Sequence, residues 1–439
     1  MHKTIDVQSY HPAADGIRLD TEAIQAAIFA VKDQGGHVVL PPGNYLSGPL
    51  ELVSNLTFEI QSGAHLSFTT DLNHFPTVFS RWEGVAQPIF MPCIYGANLT
   101  NVTITGGGTI DGQGADWWAR HQQREHFPSE LPFPRPYLIG IDYSEHVTIQ
   151  DVTLLHSPSW TVHPMECHNV RVSGVRIINP ADSPNTDGIN PESCQNVRIS
   201  DCFIDVGDDC IAIKSGTEGT TSEKSACENI IITNCSMLHG HGGVVLGSEM
   251  SGNIRNVVIS NCIFQDTDRG IRLKTRRGRG GLIENITVNN LIMENVFCPF
   301  VINAYYYCGP NGKEKYVWDK ASYPIDSRTP QIKNISFQSI LAKRVQAAAG
   351  FIYGLPEMPV EDIRFTDVHI DMEKDGQKGL PAMMHGLEEC QGAGFFLGNT
   401  NGTTFNQVTI TNVLGPLLRE ENTIDTHAPK EFYSEKYPS

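Results

Sequence analysis

Long apolar runs are missing from this 439-residue sequence. No stretch of about 18 apolar residues occurs, so no membrane-spanning helix is expected. Met1 to Asp6 carries no apolar segment after its charges, so no secretory leader is expected either. The plain expectation is a cytoplasmic protein, or a secreted or periplasmic one if a leader has been removed. Basic residues are scarce. With 32 Lys and Arg against 49 Asp and Glu the formal net charge is -17, which argues against nucleic acid or an anionic membrane as partner and requires a local cationic patch for any anionic ligand.

Metal-type cysteine spacing is also lacking. The eleven cysteines are odd in number and contain no CxxC pair. Several, such as Cys194, Cys202, Cys235 and Cys262, sit in strand-like segments where a reduced thiol behaves as a small buried hydrophobe. His239 and His241 stand among glycines, far from other ligands, so no metal and no disulfide framework is expected. Pro/Ser-rich or low-complexity linkers are absent as well, and the chain reads as a single elongated domain over residues 1–439.

What the sequence does contain is a repeat. A residue of the Asn/Asp/His type followed by alternating apolar and polar positions recurs at Asn55, Asn101, His146, Asn169, Asn196, Asn229, Asn256, Asn285, Asn334, Asp362 and Asn406. Asn169 to Asn196 and Asn229 to Asn256 are each 27 residues apart. Alternation over four to six residues is the period of a half-buried strand. Short strands recurring once per coil without helices between them stack in parallel. The fold class is therefore all-β, a right-handed parallel β-helix, and the opening Asn suits a turn that needs a left-handed residue. Residues 1–50 read as an N-terminal cap and first coil. There Asp20-Thr21 can N-cap a short helix with apolar Ala23, Ile24, Ala27, Ile28 and Val31, ended near Gly35-Gly36. The coils occupy 51–413, and 414–439 is polar and reads as a loosely held tail.

A solenoid sets corresponding positions of successive coils side by side, so polar groups recurring at coil spacing are the informative ones. Four clusters do so: Asn185-Thr186-Asp187, Gly207-Asp208-Asp209, Gly240-His241-Gly242 and Arg272-Leu273-Lys274. Three carboxylates on neighbouring coils repel, which raises the proton affinity of one and leaves a protonated acid beside an ionised base. Glycosidic cleavage needs that pair. His241 is placed to reach a carboxylate of the adjacent coil. Arg272 and Lys274, two apart in a strand, face one way while Leu273 turns inward, an arrangement suited to a substrate carboxylate. Arg276, Arg277 and Arg279 add cations that could draw in a polyanion. Each cluster has a plainer reading taken singly: a solvated Asp-Asp turn, an Asn-Thr-Asp turn, a loop histidine, a solvated basic face. Their joint occurrence at one spacing is what points to a site.

In this order the clusters resemble the N-T-D, G-D-D, G-H-G and R-I-K signatures of the polygalacturonases of glycoside hydrolase family 28, with Leu273 in place of isoleucine. The similarity extends from Leu40-Pro41-Pro42-Gly43-Asn44-Tyr45 to about residue 370. The resemblance implies an inverting hydrolase of α-1,4-linked galacturonate in polygalacturonate or its oligosaccharides, working without a cofactor. It implies Asp208 as general acid, Asp187 and Asp209 as the carboxylates that activate water, and His241 as support for the acid. It further implies Asn185, Arg272 and Lys274 as substrate contacts, with Tyr306 chosen among Tyr305, Tyr306 and Tyr307 after Val301-Ile302.

Two insertions, 111–136 with Trp117-Trp118 and 307–330 with Trp318 and Tyr323, interrupt the coil rhythm. Long aromatic loops that wall off a groove admit only a chain end, so exo-cleavage releasing galacturonic acid is expected. The alternatives are an endo-polygalacturonase or a rhamnogalacturonan hydrolase, a β-helical lyase, and a non-catalytic carbohydrate-binding β-helix.

Overall fold

The computed structural model describes residues 3–218, 226–309 and 311–433. The fold is the expected right-handed parallel β-helix. The chain divides into two compact units, Met1–Asp208 and Asp209–Ser439. Each is built from stacked coils, in which a coil touches chiefly its neighbours.

In the first unit three parallel ladders run along the stack. One joins Lys3–Asp6, Gly36–Leu40, Leu56–Ile60, Thr100–Thr105, Glu145–Gln150, His168–Ser173 and Gln195–Ser200. A second joins Gly43–Ser47, Ala64–Phe68, Thr109–Asp111, Thr153–Leu155, Arg176–Ile178 and Phe203–Val206. The third joins Leu50–Glu51, Ile94–Ala97, Ile139–Asp142 and Val162–Met165. Because side chains alternate across a strand, the registers place like on like. Val102, Val147, Val170 and Val197 form one buried row, and Ile104, Ile149, Val172 and Ile199 the next. Each such side chain contributes roughly 1.5–3 kcal/mol by leaving water. The helix Thr21–Phe29 covers the start of the stack with Ile24, Ala27 and Ile28 inward. Asp20 does not cap it through its side chain. Its carboxylate instead accepts from the backbone N–H of Ala13 and Ala14 and ties down the preceding loop.

In the second unit the strands lengthen. Ile254–Gln265, Leu282–Glu294, Gln331–Val345, Val360–Met372 and Ala393–Thr411 pair in parallel, and Phe337, Phe365 and Phe405 stack along them at 4.8 and 5.1 Å. A second ladder runs through Ile211–Ile213, Val244–Gly247, Arg269–Lys274, Cys298–Asn303 and Ala348–Tyr353. The segment read as a tail contributes to the stack. Leu418–His427 adds one more parallel strand, and Phe432 is buried against Phe405.

The turn residue that opens each repeat is left-handed, with φ from 53° to 59° at Asn55, Asn101, His146, Asn169, Asn196, Asn229, Asn256, Asn285, Asn334 and Asp362. In the last copy that role falls one residue later, on Gln407. Asparagine suits the position twice over, since it tolerates this backbone and its amide bonds the asparagine of the next coil. The amide of Asn256 donates to Asn229 at 3.1 Å, that of Asn285 to Asn256 at 3.1 Å and that of Asn334 to Asn285 at 2.7 Å. All eleven cysteines are free thiols, nine of them buried.

Candidate functional site

Asp208 closes the first unit and Asp209 opens the second, so the candidate residues are described unit by unit. In the first, Asn185 has left-handed backbone at φ 53° and turns the chain between two tightly packed loops. Gly207 is required there, because a Cβ at that position would lie 2.4 Å from the Ser183 carbonyl oxygen. Its N–H donates to the Thr186 hydroxyl at 3.3 Å. That close approach brings the Asp187 and Asp208 carboxylates together, with oxygens within 4.8 Å of each other. Asp187 is buried at 3% exposure and accepts a 2.9 Å hydrogen bond from the Asn190 amide, whereas Asp208 is half-buried.

A residue that sequence reasoning passed over joins this group. Arg135, 1% exposed, donates to the carbonyl oxygens of Pro158 and Pro184, both at 2.9 Å, and to the Asn185 side-chain oxygen at 2.6 Å. Burial pulls its basicity down to about 10, while Glu83, Asp208 and Asp187 act to support the charge. The signal was visible only as Pro134-Arg135-Pro136, one arginine in an insertion read for its aromatics. That insertion folds as the helix Ala115–Gln123 followed by a turn at Pro128–Glu130. Next to it lies an unforeseen antiparallel hairpin, Thr77–Trp82 with Val85–Phe90. Trp82 stacks with Tyr137 and Trp160 at 5.8 and 5.4 Å, and those two rings with each other at 5.3 Å; the Trp82 ring lies 5.9 Å from the Arg135 guanidinium.

In the second unit Asp209 is buried at 1% exposure. It accepts from the Lys274 ammonium at 2.7 Å and lies 3.6 Å from the Arg272 guanidinium. Burial pushes its carboxyl upward, but the charges of Lys274, Arg272 and Lys214 outweigh that and hold it below the usual carboxylate range. Repulsion between carboxylates, expected to dominate, is thus offset at Asp209 by two cations within the unit. Correspondingly Lys274 and Arg272, expected to be an open grip, are 7% and 6% exposed and engaged with Asp209. At Gly242 a Cβ would lie 2.4 Å from a Val245 methyl and in ordinary contact, 3.4 Å, with the Asp209 carboxylate.

His241 pairs with a carboxylate of the adjacent coil that is not one of the three candidates, Asp268, 2.8 Å from Nδ1. Of the three tyrosines, Tyr306 is the one at the cations, its ring 5.4 Å from the Arg272 guanidinium and 5.3 Å from the Lys274 ammonium. Tyr305 is buried against Arg277, and Tyr307 packs on His385. The arginine run is not a surface funnel. Arg277 is fully buried and forked onto Glu357 at 2.6 and 2.9 Å, and Arg276 and Arg279 are paired with Glu218 at 2.6 and 3.0 Å. A further segment, residues 373–392, was not foreseen as an insertion. Its Met383 contacts Arg272 through sulfur at 3.3 Å and accepts from the Asn303 amide at 2.9 Å through its carbonyl.

The family described as Glycosyl hydrolases family 28 matches residues 36–381. A probable polygalacturonase of Vitis vinifera is 35% identical over 376 residues, 83% of this chain and 73% of that protein. The endo-polygalacturonase of Pectobacterium carotovorum subsp. carotovorum is 32% identical over 287 residues, 62% and 69% of the two chains. Among solved structures, a hyperthermoactive exopolygalacturonase from Thermotoga maritima superposes with a TM-score of 0.74 at 27% identity, covering 84% of this chain and 87% of that one.

Proposed function

We propose the reaction of a chain that belongs to glycosyl hydrolase family 28: hydrolysis of the α-1,4 linkages of polygalacturonate or oligogalacturonates, from a chain end, with release of galacturonic acid. The observation that carries the acid/base part is the Asp187–Asp208 pair, whose oxygens are within 4.8 Å. A leaving sugar oxygen must be protonated as the bond to the anomeric carbon breaks, and a water must be deprotonated as it attacks. Asp208, the more exposed of the two, is assigned as the acid that reaches the leaving oxygen. Asp187 and Asp209 are assigned to the water. A base has to be ionised, and the Lys274 and Arg272 charges keep Asp209 so. Arg272, Lys274, Tyr306 and Asn185 are assigned to the substrate, with Asn185 offering an amide to an anionic sugar. His241, oriented by Asp268, is assigned to tuning the acid.

Asp208→Asn tests this assignment. Loss of the acid should lower kcat on polygalacturonate by roughly 10²–10⁴-fold with an unchanged melting temperature, and a variant that still turns over near the native rate refutes it. Release of monomer alone from the first minutes of digestion supports end-on attack, which is also favoured by the likeness to the Thermotoga enzyme and by the segments that bring Arg135 to Asn185 and Met383 to Arg272. A ladder of intermediate oligomers would instead mean internal cleavage.

The stereochemistry has a second reading. Inverting pairs usually stand about 6.5–9.5 Å apart and retaining pairs about 5–5.5 Å, so the short Asp187–Asp208 approach by itself favours retention through a covalent intermediate. Inversion is retained as the primary reading on the family resemblance. NMR of the first anomer formed separates them, β for inversion of an α-linkage and α for retention.

A further inference from the structure

The 111–136 insertion delivers a buried cation to one of the assigned substrate contacts, Asn185. Pro134 and Pro136 fix the backbone on either side of Arg135, and the side chain runs inward past the face of Trp82. All three of its hydrogen bonds go to uncharged oxygens of two successive loops, Pro158 on one and Pro184 and Asn185 on the other. Among the described residues no carboxylate lies within ion-pair distance of it, and its Nε has no hydrogen-bond partner. A guanidinium this deeply buried, with Glu83, Asp208 and Asp187 supporting its charge only from beyond ion-pair distance, is expensive. Its retention in the fold needs a reason that loop packing by an apolar side chain would not supply.

We propose that Arg135 is a positioning residue that locks the Asn185 amide with its oxygen inward, so that Asn185 presents its NH2 group, a pure donor, to the anionic sugar. An amide can face either way, and the two faces have opposite hydrogen-bonding character. A guanidinium can only donate, so the atom it contacts at 2.6 Å must be the amide oxygen. The NH2 end then points to the half-exposed side of Asn185, where no described residue engages it. For a uronate substrate this orientation is the productive one, because a carboxylate or ring oxygen accepts and an outward amide oxygen would repel it. Lysine cannot replace the arginine, since three oxygens in fork geometry call for two donor nitrogens in one plane.

The inference rests on Asn185 being a substrate contact, and Asn185→Asp tests it with a nearly isosteric change. The carboxylate gains an ion pair with Arg135 but has no donor to offer. The melting temperature at pH 7 should therefore rise or hold while KM for trigalacturonate increases at least tenfold. A variant that keeps the native KM, or that melts lower, overturns the proposal. A double-mutant cycle gives the second measurement. Arg135→Gln should lower kcat/KM about tenfold in the native background and less than twofold in Asn185→Ala, and additive losses would mean that Arg135 does not act through Asn185. Arg135→Lys should behave like the glutamine variant, and full activity with lysine also overturns the proposal. If the native protein releases no reducing ends from polygalacturonate, it is the proposed function that fails, while the Asn185→Asp melting shift still reports on the Arg135 contact.

Discussion

At the scale of single residues, two buried carboxyls have opposite electrostatic fates. Asp209 is paired with Lys274 and Arg272, so its folded-state affinity for protons is below that of the unfolded chain. Its contribution to stability is then present above the unfolded value near pH 3.9 and is lost as the pH falls through the folded one. Lys274→Met takes the nearest cation from the buried carboxylate and leaves the more distant Arg272 and Lys214 charges. It should destabilise the protein by roughly 3 kcal/mol at pH 7 and move the acidic limb of the kcat/KM profile to higher pH. A melting temperature equal to the native one would show the pair to be energetically neutral. Asp142 is the reverse case. Burial pushes its carboxyl up to about 6, only partly countered by His163, Ser80 and Tyr95. The folded state therefore holds the proton more tightly than the unfolded one, and stability from this group declines as pH rises from about 4 to 6. Asp142→Asn should raise stability at pH 7.5 by roughly 1–3 kcal/mol and change little at pH 4. Thermal melts at the two pH values decide it, and equal shifts at both would contradict the assignment.

At the scale of the element, the asparagine ladder holds one strand to the next through side chains as well as backbone. Asn256 has φ 58°, accepts from Asn285 and donates to Asn229. Asn256→Ala removes both bonds and forces an alanine into a left-handed backbone, which by itself costs about 1–2 kcal/mol. Glycine relieves the backbone part but restores neither bond. Alanine should therefore lower the melting temperature more than glycine, and glycine more than the native residue. If alanine and glycine are equal, the backbone conformation contributes nothing and the ladder bonds carry the effect. The repeat was legible because this position recurs in sequence with a residue chosen for one backbone state. It was misplaced by one only at Asn406, where Gln407 takes the left-handed turn. The hairpin at 77–90 and the excursion at 373–392 were not legible. Neither has a periodic pattern, and their contacts, Trp82 on Tyr137 and Met383 on Arg272, are between residues far apart in the chain.

At the scale of the whole molecule, charge sets how an anionic polymer arrives. The net charge is -17, and the arginines expected to offset it locally are buried in pairs with Glu218 and Glu357. Long-range forces on polygalacturonate are then repulsive, and salt screens them with a Debye length of about 30 Å at 0.01 M and 10 Å at 0.1 M. KM for the polymer should fall as ionic strength rises from about 0.01 to 0.1 M, with a smaller change for a short oligomer. A KM that rises over that interval would mean that a cationic surface steers the substrate after all.

The sequence by itself determined the solenoid, because the period of two within each strand and the coil spacing between strands are local facts that survive without coordinates. It also determined the identities of the acidic, imidazole and cationic candidates, since one coil's length sets where the next side chain of the same face must fall. The tertiary structure alone decided how those groups are paired: Asp209 with Lys274, His241 with Asp268, Arg135 with Asn185, and the buried arginine run with Glu218 and Glu357. Charge compensation depends on distances between residues that are 27 to 80 positions apart in the chain. Burial fixes both its sign and its strength, and a linear pattern carries information on neither.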